Sequence, residues 1–220
     1  NLPALCIVLF VISILIRGTK GAAKANNFIV VLKVSAIIFV IIAGIFFINV
    51  DNWMPFIPAA TTITENGVSH PAYGISGVVA GASAIFFAYV GFDAVSTQAG
   101  EAINPKKDVP FAIITSLIVC TVLYILVSLV LTGMMHYTDF NPLGKYPDAI
   151  KAPVAYAFDI AGQAWAGYII TIAATIGLIS VLMVMIMGQS RIFLGMSKDG
   201  LIPKTFSKVN PTTGVPKKNL

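Results

Sequence analysis

The sequence predicts an all-α polytopic membrane protein, because it is long, apolar and poor in charged residues. Of its 220 residues, 57% are hydrophobic and 10% are charged, whereas soluble domains usually carry charge on about a quarter of their residues. One membrane span takes about 20 apolar residues, so the chain has room for roughly five spans plus loops. It begins at Asn1 inside an apolar run, which predicts that it is an internal fragment of a longer membrane protein.

Five apolar stretches are separated by charged residues or by turn-forming residues. The predicted spans are residues 1–16, 28–48, 75–99, 109–135 and 166–187. The first is short for a span, and Asn-Pro dipeptides precede the fourth and the fifth. The apolar run that starts at Val154 is too long for one span, so residues 154–165 are predicted to form an amphipathic surface helix.

The basic residues predict the orientation of the spans, because cytoplasmic loops retain Lys and Arg. If the first loop is cytoplasmic, eleven of the 14 basic residues lie on that side, Lys145 and Lys151 lie on the other, and Lys33 lies inside a span. Residues 17–27, residues 100–108 and the tail 190–220 are therefore predicted to be cytoplasmic. A nucleic-acid partner is excluded, because these charges are divided among separate loops instead of forming one basic face.

Lys33 is one of two ionisable residues within the predicted spans, where a charge at the bilayer centre costs at least about 2.5 kcal/mol. It lies six residues beyond Asn27, about 9 Å along a helix. Two interpretations are open. The long stem can carry the amine to the cytoplasmic surface, or the amine is buried and exchanges a proton during a functional cycle.

Asp93 is the second ionisable residue within the predicted spans. Because its short side chain cannot reach the membrane surface, it is predicted to face protein or water. It closes the string Phe86-Phe87-Ala88-Tyr89-Val90-Gly91-Phe92-Asp93. Gly91 can break the helix and free carbonyl and amide groups for a charged ligand. A continuous helix that kinks at Gly91 is equally compatible with the sequence.

No metal site and no cofactor site is predicted. The His, Cys and acidic residues lack the spacing of metal ligands, and no glycine-rich phosphate loop is present. Cys6 and Cys120 lie in apolar stretches and suggest no disulfide framework. Most hydroxyls of the last span, Thr171, Thr175 and Ser180, are expected to bond to their own helix. An intramembrane enzyme would need a nucleophile with a base, or a metal set, and none stands out.

Several strings along the chain carry a resemblance to a known family. They are Arg17-Gly18-Thr19-Lys20 with Asn26-Asn27, the Phe86 to Asp93 string, Glu101-Ala102-Ile103-Asn104-Pro105 with Pro110, and Gly188-Gln189-Ser190-Arg191 followed by Met196-Ser197-Lys198-Asp199-Gly200-Leu201-Ile202-Pro203. With these strings in this order, the chain resembles amino acid permeases of the amino acid-polyamine-organocation superfamily over essentially its whole length. It is most similar to bacterial members of the cationic amino acid transporter family.

The resemblance implies that the five spans are helices four to eight of a twelve-helix carrier with inverted repeats. In such carriers the sixth helix is interrupted at the substrate site. The carbonyls of Phe87, Ala88 and Val90 are therefore expected to bind the substrate ammonium, and the Phe87 ring is expected to act as a gate. Gly91 and Asp93 complete the expected substrate site, where Asp93 either contacts the substrate or anchors the break.

The resemblance also implies proton coupling, because Lys33 and Ser180 match positions around the sodium site of sodium-coupled relatives. The first family helix, which binds the substrate carboxylate, is missing from the sequence, so transport is expected of the complete parent chain in the plasma membrane. Its expected partners are an amino acid, a proton and the lipid bilayer.

Two alternatives to proton symport remain. One is a sodium-coupled or exchanging amino acid carrier, for which an amine at Lys33 is an odd choice because it repels sodium. The other is a non-transporting membrane module in which Lys33 and Asp93 pair across helices. Ion substitution separates the carriers from one another, and equilibrium binding of amino acids separates a carrier from a packing module.

Overall fold

The computed structural model is a bundle of helices with one small β-hairpin, and it describes residues 2–16, 19–65, 68–89, 91, 94–97, 99, 102–140, 146–210, 216 and 219. The helices are α1 (Leu2–Ile16), α2 (Thr19–Ile45), α3 (Gly74–Ile85), α4 (Ala94–Thr97), α5 (Pro105–Met134), α6 (Pro153–Ile160) and α7 (Ala164–Lys198). Strands β1 (Thr61–Glu65) and β2 (Val68–Ala72) pair antiparallel. The predicted helical membrane architecture is confirmed, and the hairpin is an addition to it.

Three helices of the described part of the chain are long and apolar enough to cross a membrane. They contain the stretches Ala23–Ile45, Pro105–Met134 and Ala164–Lys198. The shorter apolar stretches Ala4–Ile16 and Gly74–Ile85 accompany them. Large apolar side chains such as Phe28, Phe111 and Ile172 are exposed on the long helices, which suits surfaces that face lipid or further helices rather than water.

Helix α2 begins earlier than the sequence predicted. It starts at Thr19 rather than at residue 28 and ends at Ile45 rather than at residue 48. The polar segment before Phe28 is helical because it contains three alanines and two lysines, which are good helix formers. Lys33 therefore lies ten residues beyond Ala23 and twelve before Ile45, near the middle of the apolar stretch.

The third predicted span, residues 75–99, is not one helix. Helix α3 ends at Ile85, a 3₁₀ turn covers Phe86–Tyr89, and α4 is a separate short helix from Ala94 to Thr97. Between them Gly91 has a φ of +116°, a backbone conformation that favours glycine. The helix is thus interrupted at Gly91, within the segment where the sequence was compatible with either a break or a kink.

The expected surface helix before the last span is instead packed inside the bundle. Helix α6 places Phe158 in a cluster with Val40 of α2 and Ala166 of α7, and Phe158 is only 1% exposed. Gly162, with a φ of +76°, then turns the chain into α7. The predicted amphipathic segment does have an apolar face, but that face packs against α2 and α7 instead of lying on the membrane surface.

One end of the bundle is closed by the segment that follows α2. Asn49 donates its backbone N–H to the Gly133 carbonyl at 2.9 Å, and Asn52 Nδ2 donates to the same carbonyl at 2.7 Å. Trp53 Nε1 donates to Thr132 Oγ1 at 3.2 Å. The two bonds to Gly133 satisfy a backbone carbonyl at the C-terminal end of α5, where the helix itself supplies no partner.

Helix α7 continues eleven residues beyond the predicted span, into the predicted tail. The residues after it fold back along its end. Ser197 Oγ donates to the Pro203 carbonyl at 2.9 Å, and Asn219 Nδ2 donates to the carbonyls of Ser190 at 3.1 Å and Phe206 at 3.0 Å. The end of α7 and the described part of the tail therefore form one packed unit.

Gly44 offers a test of the contact between α2 and α5. A Cβ at this position would collide with Val130 Cγ1 and would lie 3.1 Å from Met134 Sδ. Replacing Gly44 by Ala is expected to lower the free energy of unfolding by about 1 to 3 kcal/mol, because a packed contact becomes overfilled. Thermal unfolding of the detergent-solubilised protein measures the change.

Gly21→Ala is the matched control on the same helix, because no described atom lies within 4 Å of a Cβ there. Alanine has the higher helix propensity, so this variant is expected to unfold at the same temperature or higher. Equal behaviour of the two variants would contradict the close approach of α2 and α5.

Candidate functional site

A cavity of about 370 Å³ lies between α2, α5, α7 and the interrupted segment. Helices α2 and α5 each contribute residues at spacings of three or four, and α7 contributes two adjacent pairs that lie four residues apart, so each helix uses a single face. The lining residues are Asn26, Val30 and Lys33 from α2; Ser116, Cys120 and Tyr124 from α5; Ser180, Val181, Val184 and Met185 from α7; and Ala88, Gly91 and Val95. The cavity therefore joins the break in the helix to the lysine at the middle of α2.

The stem of Lys33 packs directly against Gly177 of α7. A Cβ on Gly177 would lie 2.8 Å from Lys33 Cδ and 3.1 Å from Cγ, so the stem of Lys33 fills the space that the missing side chain leaves. Lys33 also lines a second cavity of about 280 Å³, whose other residues are aliphatic or glycine. The stem of Lys33 is therefore packed against α7, and the residue as a whole is half-buried. The choice between a buried amine and one that reaches the surface stays a prediction.

Ser180 is the buried polar residue of α7 that faces α2. Its hydroxyl donates to Asn26 Oδ1 at 2.7 Å, and Ser180 is only 2% exposed. Thr171 and Thr175 instead donate to carbonyls four residues earlier in α7, at 2.9 and 2.8 Å, as the sequence predicted. Ser180 bonds to α2 instead of to its own helix, because Asn26 Oδ1 lies within hydrogen-bond distance.

The interrupted segment is held against α5 by two tyrosines. The Tyr89 hydroxyl lies 3.2 Å from Thr121 Oγ1, and the rings of Tyr89 and Tyr124 meet edge to face with their centroids 5.7 Å apart. The Tyr124 hydroxyl donates to the Ala88 carbonyl at 3.5 Å. That bond is at the long limit for a hydrogen bond, so a charged ammonium can compete with it for the carbonyl oxygen.

The structure brings four of the predicted site residues to one cavity: Lys33, Ser180, Ala88 and Gly91. Phe87 belongs to the 3₁₀ turn by its backbone, and its side chain lies outside the described residues. Val90 and Asp93 also lie outside them. The predicted carbonyl contact of Val90, the ring gate of Phe87 and the role of Asp93 stay predictions.

Sequence reasoning assigned no site role to Asn26 and Tyr124, which line the cavity, or to Gly177, which packs against Lys33. Asn26 and Lys33 are seven residues apart, which places them on the same helix face, so spacing could have linked Asn26 to Lys33. Tyr124 carries a polar hydroxyl in the middle of an apolar span, which was a signal. The contact of Gly177 with Lys33 joins α7 to α2, and no local pattern indicates it.

Chemically, the cavity offers an amine, an amide, hydroxyls and a backbone carbonyl inside a largely aliphatic wall. Such a set can orient a small zwitterion and can accept or release a proton. Within the described part of the chain, no three His, Cys, Asp or Glu side chains are placed to hold a metal ion.

Comparison with known proteins decides the family. A family model for amino acid permeases matches residues 2–217. The chain belongs to the amino acid permease family. The predicted resemblance is confirmed at this level, and the match runs through α1 to α7 and the tail.

Relatives of this permease chain include proteins with different named substrates. It is 42% identical over its whole length to the methylthioribose transporter of Bacillus subtilis, of which it covers 43%. It is 38% identical to the branched-chain amino acid permease BcaP of Bacillus subtilis, over 98% of this chain and 42% of that protein. It is also 38% identical to the chloroplastic cationic amino acid transporter 9 of Arabidopsis thaliana, over 96% of this chain and 33% of that protein. The permease chain thus spans less than half the length of these relatives.

Proposed function

We propose that the complete permease carries amino acids across the plasma membrane by proton symport with alternating access. The observation that carries the proposal is the position of Lys33. Its side chain lies in the middle of an apolar stretch and lines the same cavity as Ala88 and Gly91 of the interrupted segment. A cargo site and a proton-binding group would then share one cavity, as coupled transport requires.

The Ala88 carbonyl supports the substrate side of the proposal. It is the oxygen to which Tyr124 donates at 3.5 Å, and it lies where the helix has ended, so its carbonyl belongs to a turn rather than to a long helix. An interrupted helix within a membrane offers such oxygens to charged ligands that hydrocarbon cannot solvate. The substrate ammonium would displace the weak tyrosine bond.

The amine of Lys33 supports a proton rather than a sodium ion as the coupling ion. Sodium sites are built from oxygen ligands, and a protonated amine at the same place repels a cation. An amine can instead alternate between a protonated and a neutral form as the cavity opens to either side. Proton exchange at Lys33 would then be linked to substrate binding through the shared cavity.

Uptake by the complete permease in proteoliposomes tests the coupling. With the outside one pH unit more acidic than the inside, the ratio of leucine inside to leucine outside is expected to rise about tenfold, because one pH unit is worth about 1.4 kcal/mol per proton. Replacing sodium by choline is expected to leave the rate unchanged. Uptake that follows sodium and ignores the pH gradient would contradict the proposal.

A second candidate substrate class is favoured by the 42% identity to a methylthioribose transporter. Methylthioribose is a thioether sugar without an ammonium group, so it cannot form the charge-assisted bond to the Ala88 carbonyl. Competition separates the two classes. Excess unlabelled leucine is expected to block labelled leucine uptake, whereas excess methylthioribose is expected to leave it unchanged. Block of labelled leucine uptake by excess methylthioribose would contradict this separation and would favour the sugar as a substrate.

A further inference from the structure

Two contacts join α2 to α7 on the same side of the cavity. At one level the stem of Lys33 packs against Gly177. At the other, seven residues earlier on α2, Asn26 accepts the Ser180 hydroxyl at 2.7 Å. Asn26, Val30 and Lys33 all line the cavity of about 370 Å³, so the face of α2 that contacts α7 also forms one wall of the cavity.

The bond between Asn26 and Ser180 has the properties of a contact that can open and close. Ser180 is 2% exposed, so its hydroxyl has little access to water and depends on a partner within the protein. Asn26 is only half-buried and can turn towards the cavity when the helices separate. Hydrogen bonds between membrane helices are weak, because the separated groups find other partners.

We propose that Asn26 is a positioning residue: its hydrogen bond to Ser180 clamps α2 against α7 and limits how far water enters the cavity at Lys33. The clamp opens and closes once in each transport cycle. Its connection to transport rests on the proposed function, whereas the clamp itself does not. In this role Asn26 acts through the distance between the two helices and not through contact with the substrate.

Two native cysteines, Cys120 and Cys6, make this clamp measurable by thiol labelling. Cys120 of α5 lines the same cavity as Asn26 and Ser180. Cys6 of α1 is exposed and belongs to a different part of the bundle. A thiol reacts with a maleimide as the hydrated thiolate, so the labelling rate of Cys120 follows the access of water to the cavity.

The test uses the complete permease in membrane vesicles, with every cysteine except Cys120 replaced by serine and N-ethylmaleimide as the probe. Asn26→Ala and Ser180→Ala are each expected to raise the labelling rate about three- to tenfold, the range for one hydrogen bond between membrane helices. The double variant is expected to label no faster than either single one, because both remove the same bond. Asn27→Ala, at the exposed neighbouring position, is expected to match the wild type.

A parallel set that keeps only Cys6 separates a clamp from general loosening. Asn26→Ala is expected to leave Cys6 labelling unchanged, and equal acceleration at both cysteines would overturn the proposal. A wild-type labelling rate of Cys120 in both single variants would also overturn the proposal. The same holds if the rate increase in the double variant equals the product of the increases in the two single variants. In leucine uptake, Asn26→Ala is expected to lower kcat severalfold with KM changed less than twofold. If the wild type carries no amino acid, the proposed function fails and the labelling comparison still decides the clamp.

Discussion

Replacing Lys33 by Met is expected to abolish the acceleration of uptake by a proton gradient while leaving the permease folded. Methionine keeps the apolar length that packs against Gly177 and removes the only part of the side chain that binds a proton. The initial rate of leucine uptake with the outside acidified is expected to fall to the rate without a gradient. Proteoliposomes with equal amounts of protein give this comparison.

Lys24→Met is the control for Lys33→Met, because Lys24 is an exposed lysine on the same helix, nine residues earlier. It is expected to retain the full response to the gradient. The unfolding temperature of Lys33→Met is expected to equal or exceed that of the wild type, since an amine no longer has to be desolvated. A full proton response in Lys33→Met would remove the basis for coupling at this residue.

Replacing Gly177 by Ala is expected to reduce uptake at least about tenfold, through Lys33 rather than through the substrate. The new Cβ would lie 2.8 Å from Lys33 Cδ, so the stem must leave its place or the helices must separate. Overfilling of this kind costs about 1 to 3 kcal/mol. When that cost displaces Lys33 from its packed position, about 1.4 kcal/mol lowers the population of the packed position tenfold. Uptake rate and unfolding temperature are both expected to fall.

The control for Gly177→Ala is Gly195→Ala on the same helix, where no described atom lies within 4 Å of a Cβ. It is expected to be at least as stable as the wild type, since alanine favours the helix. Adding Lys33→Ala to Gly177→Ala is expected to restore stability without restoring proton-driven uptake. A double variant that stays as unstable as Gly177→Ala would mean that the side chain at position 177 meets something other than the lysine.

The long helices could be predicted from the sequence because an apolar run is itself the signal for a membrane span. The predicted bounds of α5, residues 109–135, differ from Pro105–Met134 by four residues at the start, where Pro105 suits a first helical turn. The early start of α2 and the late end of α7 were missed because hydropathy ends at the membrane whereas the helix does not. The hairpin was missed although Thr61-Thr62-Ile63-Thr64 is a run of β-branched residues, which favour strands.

The site could be predicted only in part, for a related reason. Lys33 stands out because an amine in an apolar run is costly, and the segment around Gly91 stands out because glycine and aromatic residues gather there. The partner of Ser180 is 154 residues away in the chain, and nothing local in either helix identifies it. Contacts between distant spans depend on how the helices rotate and cross, which a single sequence does not specify.

The length of α7 gives it a mechanical consequence. From Ser180 to Lys198 the helix extends about 27 Å, and Ser197, Pro203 and Asn219 fasten the following residues to its end. A tilt of α7 by about 5° at the cavity would therefore move its C-terminal end by roughly 2 Å. The residues fastened to that end would move with it. In the proposed alternating-access cycle, a fluorophore on Lys204, just beyond the end of α7, would report this movement.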